Sequence, residues 1–332
     1  MGIEYRDIPI GLRSRALLTL MRLVAPPMMM QMASSSPAVL AKLQKRVRTL
    51  PWPDVPGIAI AEQNLNDIPG HVLGDLSDTS KPVALWLHGG AFLLPASNMH
   101  LSTCAQYCKS LGIAAFMPDY RLIPEHPYPA GLDDCEQAYH ALLELGFAPE
   151  KVVLIGDSAG GNLIFGLMRR IRKNHIPMPA CAIAISPLAE LGRAYYPPTL
   201  YMRRLRDPLL PLAALPKLAE AYCGETDGSH PELSPLYMKL VGLPPVFILA
   251  SSNEILMDDA VHLAERCIES GVETECHVWP RLPHAFPLFE RIFPEARQAL
   301  DEMVEFTQRH LPGTKPSTKP VAGELHGKPA AS

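Results

Sequence analysis

Short β-rich runs alternate with helix-patterned segments along most of this 332-residue chain, and this alternation most restricts how it can fold. Six such runs lie between residues 82 and 280: "PVALWLH", "IAAFMPDY", "KVVLIGDS", "CAIAISP", "PVFILAS" and "TECHVWP". Between runs, residues such as Ala260, Leu263, Ala264 and Cys267 have the i, i+3, i+4, i+7 spacing of a core-facing helix. The pattern predicts an α/β fold whose mostly parallel sheet is covered by helices on both faces. Such folds place their sites at the carboxyl ends of the strands.

Composition and charge exclude several classes of protein. Hydrophobic residues make up 48% of the chain and charged residues 19%, which is enough apolar material for a sizeable core. A net charge of −4 gives no reason to expect a nucleic-acid partner. The seven cysteines include no C-x-x-C pair, so we predict neither a metal site nor a disulfide framework. A reduced, cytoplasmic setting fits this usage best.

The two ends of the chain differ from its middle. In the N-terminal stretch "IGLRSRALLTLMRLVAPPMMMQMA", Arg13, Arg15 and Arg22 interrupt the apolar residues, and no span reaches 18 uncharged apolar positions. We predict an amphipathic helix followed by a Met-rich stretch, with no secretory signal and no stable membrane insertion. Residues 312–332 are rich in Pro, Gly, Lys and Ser and predict a disordered tail.

A candidate nucleophile lies where the run "KVVLI" meets the next helix. Gly156, Ser158 and Gly160 form G-x-S-x-G at this strand-to-helix junction. In that context the glycines allow a sharp turn that leaves the Ser158 hydroxyl exposed above the sheet. The alternative is a phosphate-binding loop, but neither G-K-[ST] nor G-x-G-x-x-G is present.

A candidate oxyanion hole follows the strand "PVALWL". The sequence "HGGAF" starts at His88, and its glycines allow a substrate oxygen to approach backbone N–H groups closely. We predict Gly89, Gly90 and Ala159 as donors, with Ala91 as the alternative to Gly89. His88 is interpreted as a residue that fixes this loop rather than as a base.

In this architecture the acid and then the base follow the nucleophile along the chain. Five histidines qualify by order: His262, His277, His284, His310 and His326. Only His284, in "RLPHAF", lies on a loop just past a strand, so we predict it as the base.

Three carboxylates compete for the role of acid in "VFILASSNEILMDDA". Glu254 falls in the loop after the strand, whereas Asp258 and Asp259 begin the next helix, where Asp caps the helix and complements its dipole. We therefore predict Glu254 as the acid that orients His284, with Asp258 as the alternative.

Taken together, "HGGAF", "DYRLIPEHPYPA", "GDSAGGNL", "NEILMDD" and "PHAF" resemble the hormone-sensitive-lipase family of α/β-hydrolases, from about residue 82 to residue 311. The family usually has H-G-G-G, where Ala91 replaces the third glycine, and D-x-L-x-D, where Glu254 replaces the first Asp. The resemblance implies that "DYRLIPEHPYPA" braces the oxyanion loop.

The resemblance also implies a helical cap. Residues 1–50 would form its N-terminal part, residues 51–311 the catalytic domain, and residues 191–223 a cap insertion. Tyr195, Tyr196, Tyr201 and the methionines are candidate walls of an acyl pocket.

The expected function is that of a serine carboxylesterase acting on short- to medium-chain esters, without a cofactor. A long-chain lipase would need a broad apolar entry face, and no long exposed apolar segment is evident in the sequence. The alternatives are a non-catalytic small-molecule-binding protein on the same fold, or an acyltransferase or lactonase with the same triad. The partner is a small-molecule ester, and a homodimer is left open.

Overall fold

A nine-stranded sheet forms the centre of the molecule, in a computed structural model that describes residues 2–192, 202–203 and 206–311. The strands are β1 (Gly2–Tyr5), β2 (Ile60–Leu65), β3 (Ile68–Leu73), β4 (Val83–Leu87), β5 (Ala114–Pro118), β6 (Val152–Asp157), β7 (Cys181–Ile185), β8 (Val246–Ser251) and β9 (Thr274–Trp279). Their order across the sheet is β1-β9-β8-β7-β6-β4-β5-β3-β2. The seven strands from β1 to β5 in this order pair in parallel.

Helices cover both faces of this sheet. The described residues include α1 (Leu12–Ala33), α2 (Pro37–Arg48), α3 (Asn98–Leu111), α4 (Ala130–Glu144), α5 (Ala159–Lys173), α6 (Ala214–Cys223), α7 (Met257–Glu269) and α8 (Pro294–His310). Along β4, Leu85 packs into a core with Leu163 of α5, whereas Trp86 packs into a second core with Leu300 of α8. Successive strand residues point to opposite faces, so β4 contributes side chains to both cores. The predicted fold class is confirmed.

All six predicted strands are present, and three further strands were not predicted. β2 and β3 form an antiparallel hairpin that continues the sheet beyond β5. Its turn residues Asn66 and Asp67 have φ values of 48° and 65°, the left-handed conformation of a tight hairpin turn. β1 pairs in parallel with β9 at the opposite edge. Residues 2–5 therefore belong to the sheet, which corrects our assignment of the whole 1–50 segment to the cap.

α1 differs from the predicted amphipathic helix, because apolar side chains lie on its inward and its outward sides. Leu18 and Ala25 are buried, but Leu20 and Leu23 on the outward side are exposed. The Met-rich stretch continues the same helix to Ala33.

The N-terminal helices pack beside α6, which lies in the predicted cap insertion. α1 contacts α6, and the Lys217 Nζ donates to the Ser34 Oγ at 2.8 Å. From α2, the Gln44 amide donates to the Leu93 carbonyl at 2.8 Å and to the Ile123 carbonyl at 3.0 Å. α2 therefore packs directly on the loop that follows β4. Residues 193–201 of the predicted insertion, with its three tyrosines, and the predicted tail 312–332 lie outside the described residues.

Candidate active site

Ser158 occupies the sharp turn between β6 and α5. Its φ of 55° and ψ of −116° are an unusual conformation for a residue with a side chain. The turn is held by the Ser158 N–H, which donates to the Ile185 carbonyl at 2.8 Å, and by the Leu188 N–H, which donates to the Ser158 carbonyl at 3.1 Å. This is the predicted nucleophile turn, and it presents Ser158 to a pocket above the sheet.

The two flanking glycines are required by close backbone packing. A Cβ at Gly156 would lie 2.3 Å from the Gly160 carbonyl oxygen, and a Cβ at Gly160 would lie 1.8 Å from the Leu87 carbonyl oxygen. Both distances are far below van der Waals contact with atoms that cannot move aside. The G-x-S-x-G pattern therefore reflects the close approach of α5 to β4 and β6.

His284 and Glu254 form a buried pair at the same end of the sheet. The His284 Nδ1 lies 2.6 Å from the Glu254 Oε2, and the exposed fractions of the two residues are 4% and 0%. The other carboxylate oxygen, Oε1, accepts from the Ser251 N–H at 2.7 Å and from the Ser186 Oγ at 2.9 Å. Three donors thus fix the carboxylate, and the predicted pairing of His284 with Glu254 is present.

The electrostatics of this pair favour a strong base. Burial by itself would lower the pKa of His284, but the hydrogen bond and charge of Glu254 more than offset this and raise the pKa above 6.5. The His284 Nε2 is buried and has no hydrogen-bond partner among the described residues. The nitrogen that a base would use is therefore free for a substrate or nucleophile.

Ser186 connects the acid–base pair to the nucleophile turn, and sequence reasoning missed it. Its hydroxyl donates to Glu254 and accepts from the Ala285 N–H at 3.1 Å, next to His284. Ser186 directly follows Ile185, whose carbonyl holds Ser158. Ser186 follows the carboxyl end of β7, which pairs with β6, the strand that leads to Ser158. That position is the one sequence feature that could have marked Ser186 as a site residue.

The two neighbouring aspartates have other partners. Asp258 forms an ion pair with Arg203, where the Oδ2 and Nη1 atoms are 2.5 Å apart. The Asp259 Oδ2 accepts from the Ala189 N–H at 2.8 Å and from the Glu190 N–H at 3.2 Å. These contacts brace the segment after β7, so Glu254 remains the better candidate for the acid.

The loop after β4 turns sharply at Gly90 and Ala91, whose φ values are 112° and 58°. The Gly90 carbonyl accepts from the N–H groups of Leu93 and Leu94 at 3.0 and 2.8 Å. Ala91 lines the same pocket as Ser158. A loop of this shape can aim backbone N–H groups at a substrate oxygen.

Asp157 lies close to Gly89, one of the two candidate donors that flank Gly90. The Gly89 N–H bonds to the Asp157 carboxylate, which is itself 3.2 Å from the His100 Nε2. Burial would raise the pKa of Asp157, but His100 and these hydrogen bonds lower it overall, so the carboxylate is charged. The Asp157 carboxylate therefore competes with a substrate oxygen for the Gly89 N–H, whereas Ala91, the alternative donor, lines the pocket with Ser158.

His88 is a structural residue of this loop. Its Nδ1 donates to the Gly89 carbonyl at 2.8 Å, and its own carbonyl accepts from the Tyr120 hydroxyl at 2.6 Å. Complete burial, the main cause, lowers the pKa of His88 to about 4. The Ile123 N–H also donates to the Phe92 carbonyl at 3.0 Å, so the "DYRLIPEHPYPA" segment braces the loop as expected.

Asp207 is a second residue that sequence reasoning missed. It is buried, and its carboxylate accepts from the N–H groups of Leu209, Leu210 and Ile255 at 2.8–2.9 Å. Burial raises the pKa of Asp207 to about 6, and its charge in turn raises the pKa of His284. Asp207 ties the segment before α6 to the residue after Glu254, but its sequence surroundings, "RRLRDPLL", contain no motif.

The pocket that contains Ser158 is almost entirely apolar and has a volume of about 130 Å³. It lies between α1, α2 and α6 on one side and the loops that follow β4, β6 and β7 on the other. Its lining includes Met29, Met32, Ala33, Leu40, Ala91, Leu93, Leu188, Leu210, Ala214, Leu215, Leu218 and Leu256. Within the described ranges, no group of three or more His, Cys, Asp or Glu side chains could hold a metal ion. Such a pocket suits an apolar group attached to a carbon that Ser158 attacks.

Comparisons with known proteins agree with this geometry. A family model described as an alpha/beta hydrolase fold matches residues 84–288. An acetyl-hydrolase from Streptomyces hygroscopicus is 38% identical over 219 residues, which cover 65% of this chain and 72% of the relative. The crystal structure of EstE5 soaked with p-nitrophenyl butyrate matches with a TM-score of 0.80 and 30% identity, over 90% of this chain and 99% of that one. A crystal structure of a hormone-sensitive lipase from a metagenome library matches with a TM-score of 0.78 and 29% identity, over the same shares.

Proposed function

The chain belongs to the hormone-sensitive-lipase family of α/β-hydrolase-fold proteins and is a carboxylic ester hydrolase, and we propose that Ser158, His284 and Glu254 carry out its chemistry. The proposed substrates are short- to medium-chain carboxylic esters, cleaved through an acyl-enzyme intermediate. The single observation that carries the proposal is the buried His284–Glu254 pair, whose Nε2 is free. The pair lies at the carboxyl ends of the strands, where Ser158 lines an apolar pocket.

In the first half-reaction the Ser158 Oγ attacks the ester carbonyl carbon while the His284 Nε2 takes the hydroxyl proton. Glu254 holds the imidazole in the correct tautomer and stabilises the imidazolium. The carbonyl electron pair moves to oxygen, and the N–H groups of Gly90, Ala91 and Ala159 stabilise that charge. The intermediate collapses, the C–O bond to the alcohol breaks, and the alcohol leaves with the proton from His284.

The second half-reaction repeats these steps with water. The His284 Nε2 accepts a proton from the water as its oxygen attacks the acyl carbon. The bond to the Ser158 Oγ then breaks, the serine regains a proton from His284, and the carboxylic acid leaves. The α5 N-terminus, which begins at Ala159 beside the nucleophile, favours the negative charge in both half-reactions.

The size of the apolar pocket supports the proposed acyl range. An apolar cavity of about 150 Å³ holds a benzene ring, and this pocket, at about 130 Å³, is slightly smaller. Each methylene that enters contributes about 0.8 kcal/mol, and the gain ends when the chain outgrows the pocket. We therefore expect kcat/KM to rise from acetate to about hexanoate and then to fall.

Filling the pocket should shorten the preferred acyl chain. Ala214 lines the pocket, whereas the adjacent Ala213 is exposed and does not. We expect Ala214→Phe to lower kcat/KM for p-nitrophenyl hexanoate at least tenfold relative to acetate, because the ring occupies the space of the outer methylenes. The matched Ala213→Phe variant should keep the wild-type profile. If the two variants have the same profile, or if emulsified long-chain triglyceride is the best substrate, the assignment of the acyl pocket is wrong.

The pH profile should report His284. The imidazole must be neutral to accept the proton of Ser158, so activity increases as the pH rises through its pKa. Because that pKa is raised, the acid limb of kcat/KM should have its midpoint above 6.5. Asp207→Asn removes a negative charge that raises the pKa of His284, so the midpoint should move to lower pH.

Replacement of the exposed Asp54 by Asn is the control for this experiment and should leave the midpoint unchanged. The measurement is kcat/KM against pH for the wild type and both variants, with thermal unfolding as a check of folding. An unchanged midpoint in a folded Asp207→Asn protein would exclude the proposed influence on His284.

The cytoplasmic setting stays a prediction. It is supported by the seven cysteines, all of which are buried and free. Burial raises the pKa of the Cys181 and Cys276 thiols, to about 12 for Cys276, so these thiols are unreactive.

A further inference from the structure

The outward side of α1 has apolar residues where a surface helix normally has polar ones. Leu20 and Leu23 are exposed by 58% and 70%, and Leu12 by 84%. Together with Ala16 and Pro27 they follow the spacing i, i+4, i+8, i+11, i+15, which places them in one stripe along the helix. A helix that is apolar all round is normally covered on all sides. We define this stripe, Leu12, Ala16, Leu20, Leu23 and Pro27, as the outer face.

The opposite side of α1 is already occupied by the enzyme itself. Ser14, Leu18 and Ala25 are buried, and they point away from the outer face at 100° per residue. Only 11% of the most apolar 18-residue window of α1 is buried, although by length and composition the helix could cross a membrane. α1 therefore uses its inward side for packing, and the outer face has no partner among the described residues. The structure thus supplies the exposed apolar segment that the sequence analysis did not find.

The charged residues of the segment that contains α1 and α2 are all of one sign. From Leu12 to Arg48 the chain has seven Lys or Arg residues and no Asp or Glu, whereas the whole chain has a net charge of −4. Arg13, Arg15 and Arg22 flank the outer face and are exposed, and Lys42 and Lys45 are exposed on α2. An apolar stripe with basic flanks is the pattern of a helix that lies in the plane of an anionic membrane surface.

We propose that the outer face binds the surface of an anionic phospholipid bilayer, with α1 parallel to the membrane and the arginines at the headgroups. The last turns of the same helix, through Met29, Met32 and Ala33, line the pocket that contains Ser158. These residues lie on the inward side of α1, so a bilayer on the outer face would be separated from the pocket by the helix itself, about 10 Å across. Binding itself does not depend on the proposed catalytic function.

The test is flotation of the full-length protein with vesicles of phosphatidylcholine and phosphatidylglycerol, compared with vesicles of phosphatidylcholine alone. We expect binding to the anionic vesicles at low salt, with at least tenfold weaker binding at 0.5 M salt or without phosphatidylglycerol. The double variant Leu20→Glu/Leu23→Glu should weaken binding at least twentyfold. Arg13→Gln should weaken it about fivefold, the effect of one cationic side chain near such a surface.

The matched control places the same two changes at exposed apolar residues elsewhere. Leu145 and Val241 are exposed by 46% and 56%, and Leu145→Glu/Val241→Glu should bind like the wild type. Circular dichroism and melting confirm folding in every variant. Absence of binding to anionic vesicles, or wild-type binding by Leu20→Glu/Leu23→Glu, would overturn the proposal. A third outcome would also overturn it. If the wild type did not bind vesicles but sedimented as a dimer, and Leu20→Glu/Leu23→Glu alone disrupted that dimer, the outer face would bind a second copy of the chain.

Discussion

Replacing Ser158 with Ala should lower kcat for p-nitrophenyl butyrate by about a millionfold, the scale seen when a serine nucleophile is removed from a complete triad. The substitution removes only the hydroxyl oxygen, which is the atom proposed to form the acyl-enzyme. The remaining rate reflects substrate binding and the oxyanion donors alone. The turn should keep its shape, because the contacts that hold it are made by the Ser158 backbone.

The control for this variant is an exposed serine on α3, at position 110. Ser110→Ala should retain wild-type kcat, and both variants should melt within a few degrees of the wild type. A folded Ser158→Ala protein that keeps more than about a hundredth of wild-type kcat would show that another group is the nucleophile.

The second large effect concerns the acid. Glu254→Gln should lower kcat by about ten-thousandfold, because an amide can hold the imidazole in the wrong tautomer and cannot stabilise its positive charge. The amide NH2 would also face donors that now bond to the carboxylate, namely the Ser251 N–H and the Ser186 hydroxyl. Some loss of stability is therefore expected as well, of about 1–3 kcal/mol for each buried donor left unpaired.

Asp258→Asn is the matched comparison, since it removes a carboxylate four residues along the same segment. Asp258 pairs with Arg203, so its loss should change kcat less than about tenfold. The kinetic constants of both variants, measured on folded protein at the pH optimum, distinguish the two assignments. A larger loss of kcat in Asp258→Asn would make Asp258 the acid and Glu254 a brace.

Residues whose role follows from local chain geometry were predictable from the sequence. The six strands are short β-rich runs, and Ser158 lies between one of them and a helix. Chain order and position after a strand then left His284 and Glu254 as the best base and acid. These inferences needed only periodicity, glycine placement and the order of motifs, because parallel strands bring their carboxyl ends to one edge.

Residues whose role depends on distant partners were not predictable. Ser186 matters because β7 lies beside both β6 and β8, and no local pattern indicates the hydroxyl that bridges Glu254 and the Ala285 N–H. Gly89 and Ala91 could not be distinguished, because no local pattern shows that Asp157 lies close to Gly89 or that Ala91 lines the pocket with Ser158. β1 was missed because four residues are too few for a periodic signal, and only pairing with β9 makes them a strand.

The outward side of α1 illustrates a further limit of periodicity. The arginines in this segment suggested one apolar and one polar side, but they only flank a helix whose inward and outward sides are both apolar. The sequence shows how the polar residues of α1 are spaced. The structure shows that the rest of the protein covers the inward apolar side and leaves the outward apolar side exposed. The exposure of the outward side, which only the structure shows, is what points to a partner for the outer face.

The central claim is that Ser158 forms a covalent intermediate, and trapping that intermediate tests it most directly. A p-nitrophenyl phosphonate should react with one equivalent of protein, release one equivalent of p-nitrophenol and inactivate the enzyme. Peptide mass spectrometry should then place the phosphonyl group on Ser158, and His284→Ala should slow the labelling by several powers of ten. A label on any other residue that inactivates the enzyme, or full activity after stoichiometric labelling of Ser158, would contradict the proposed mechanism.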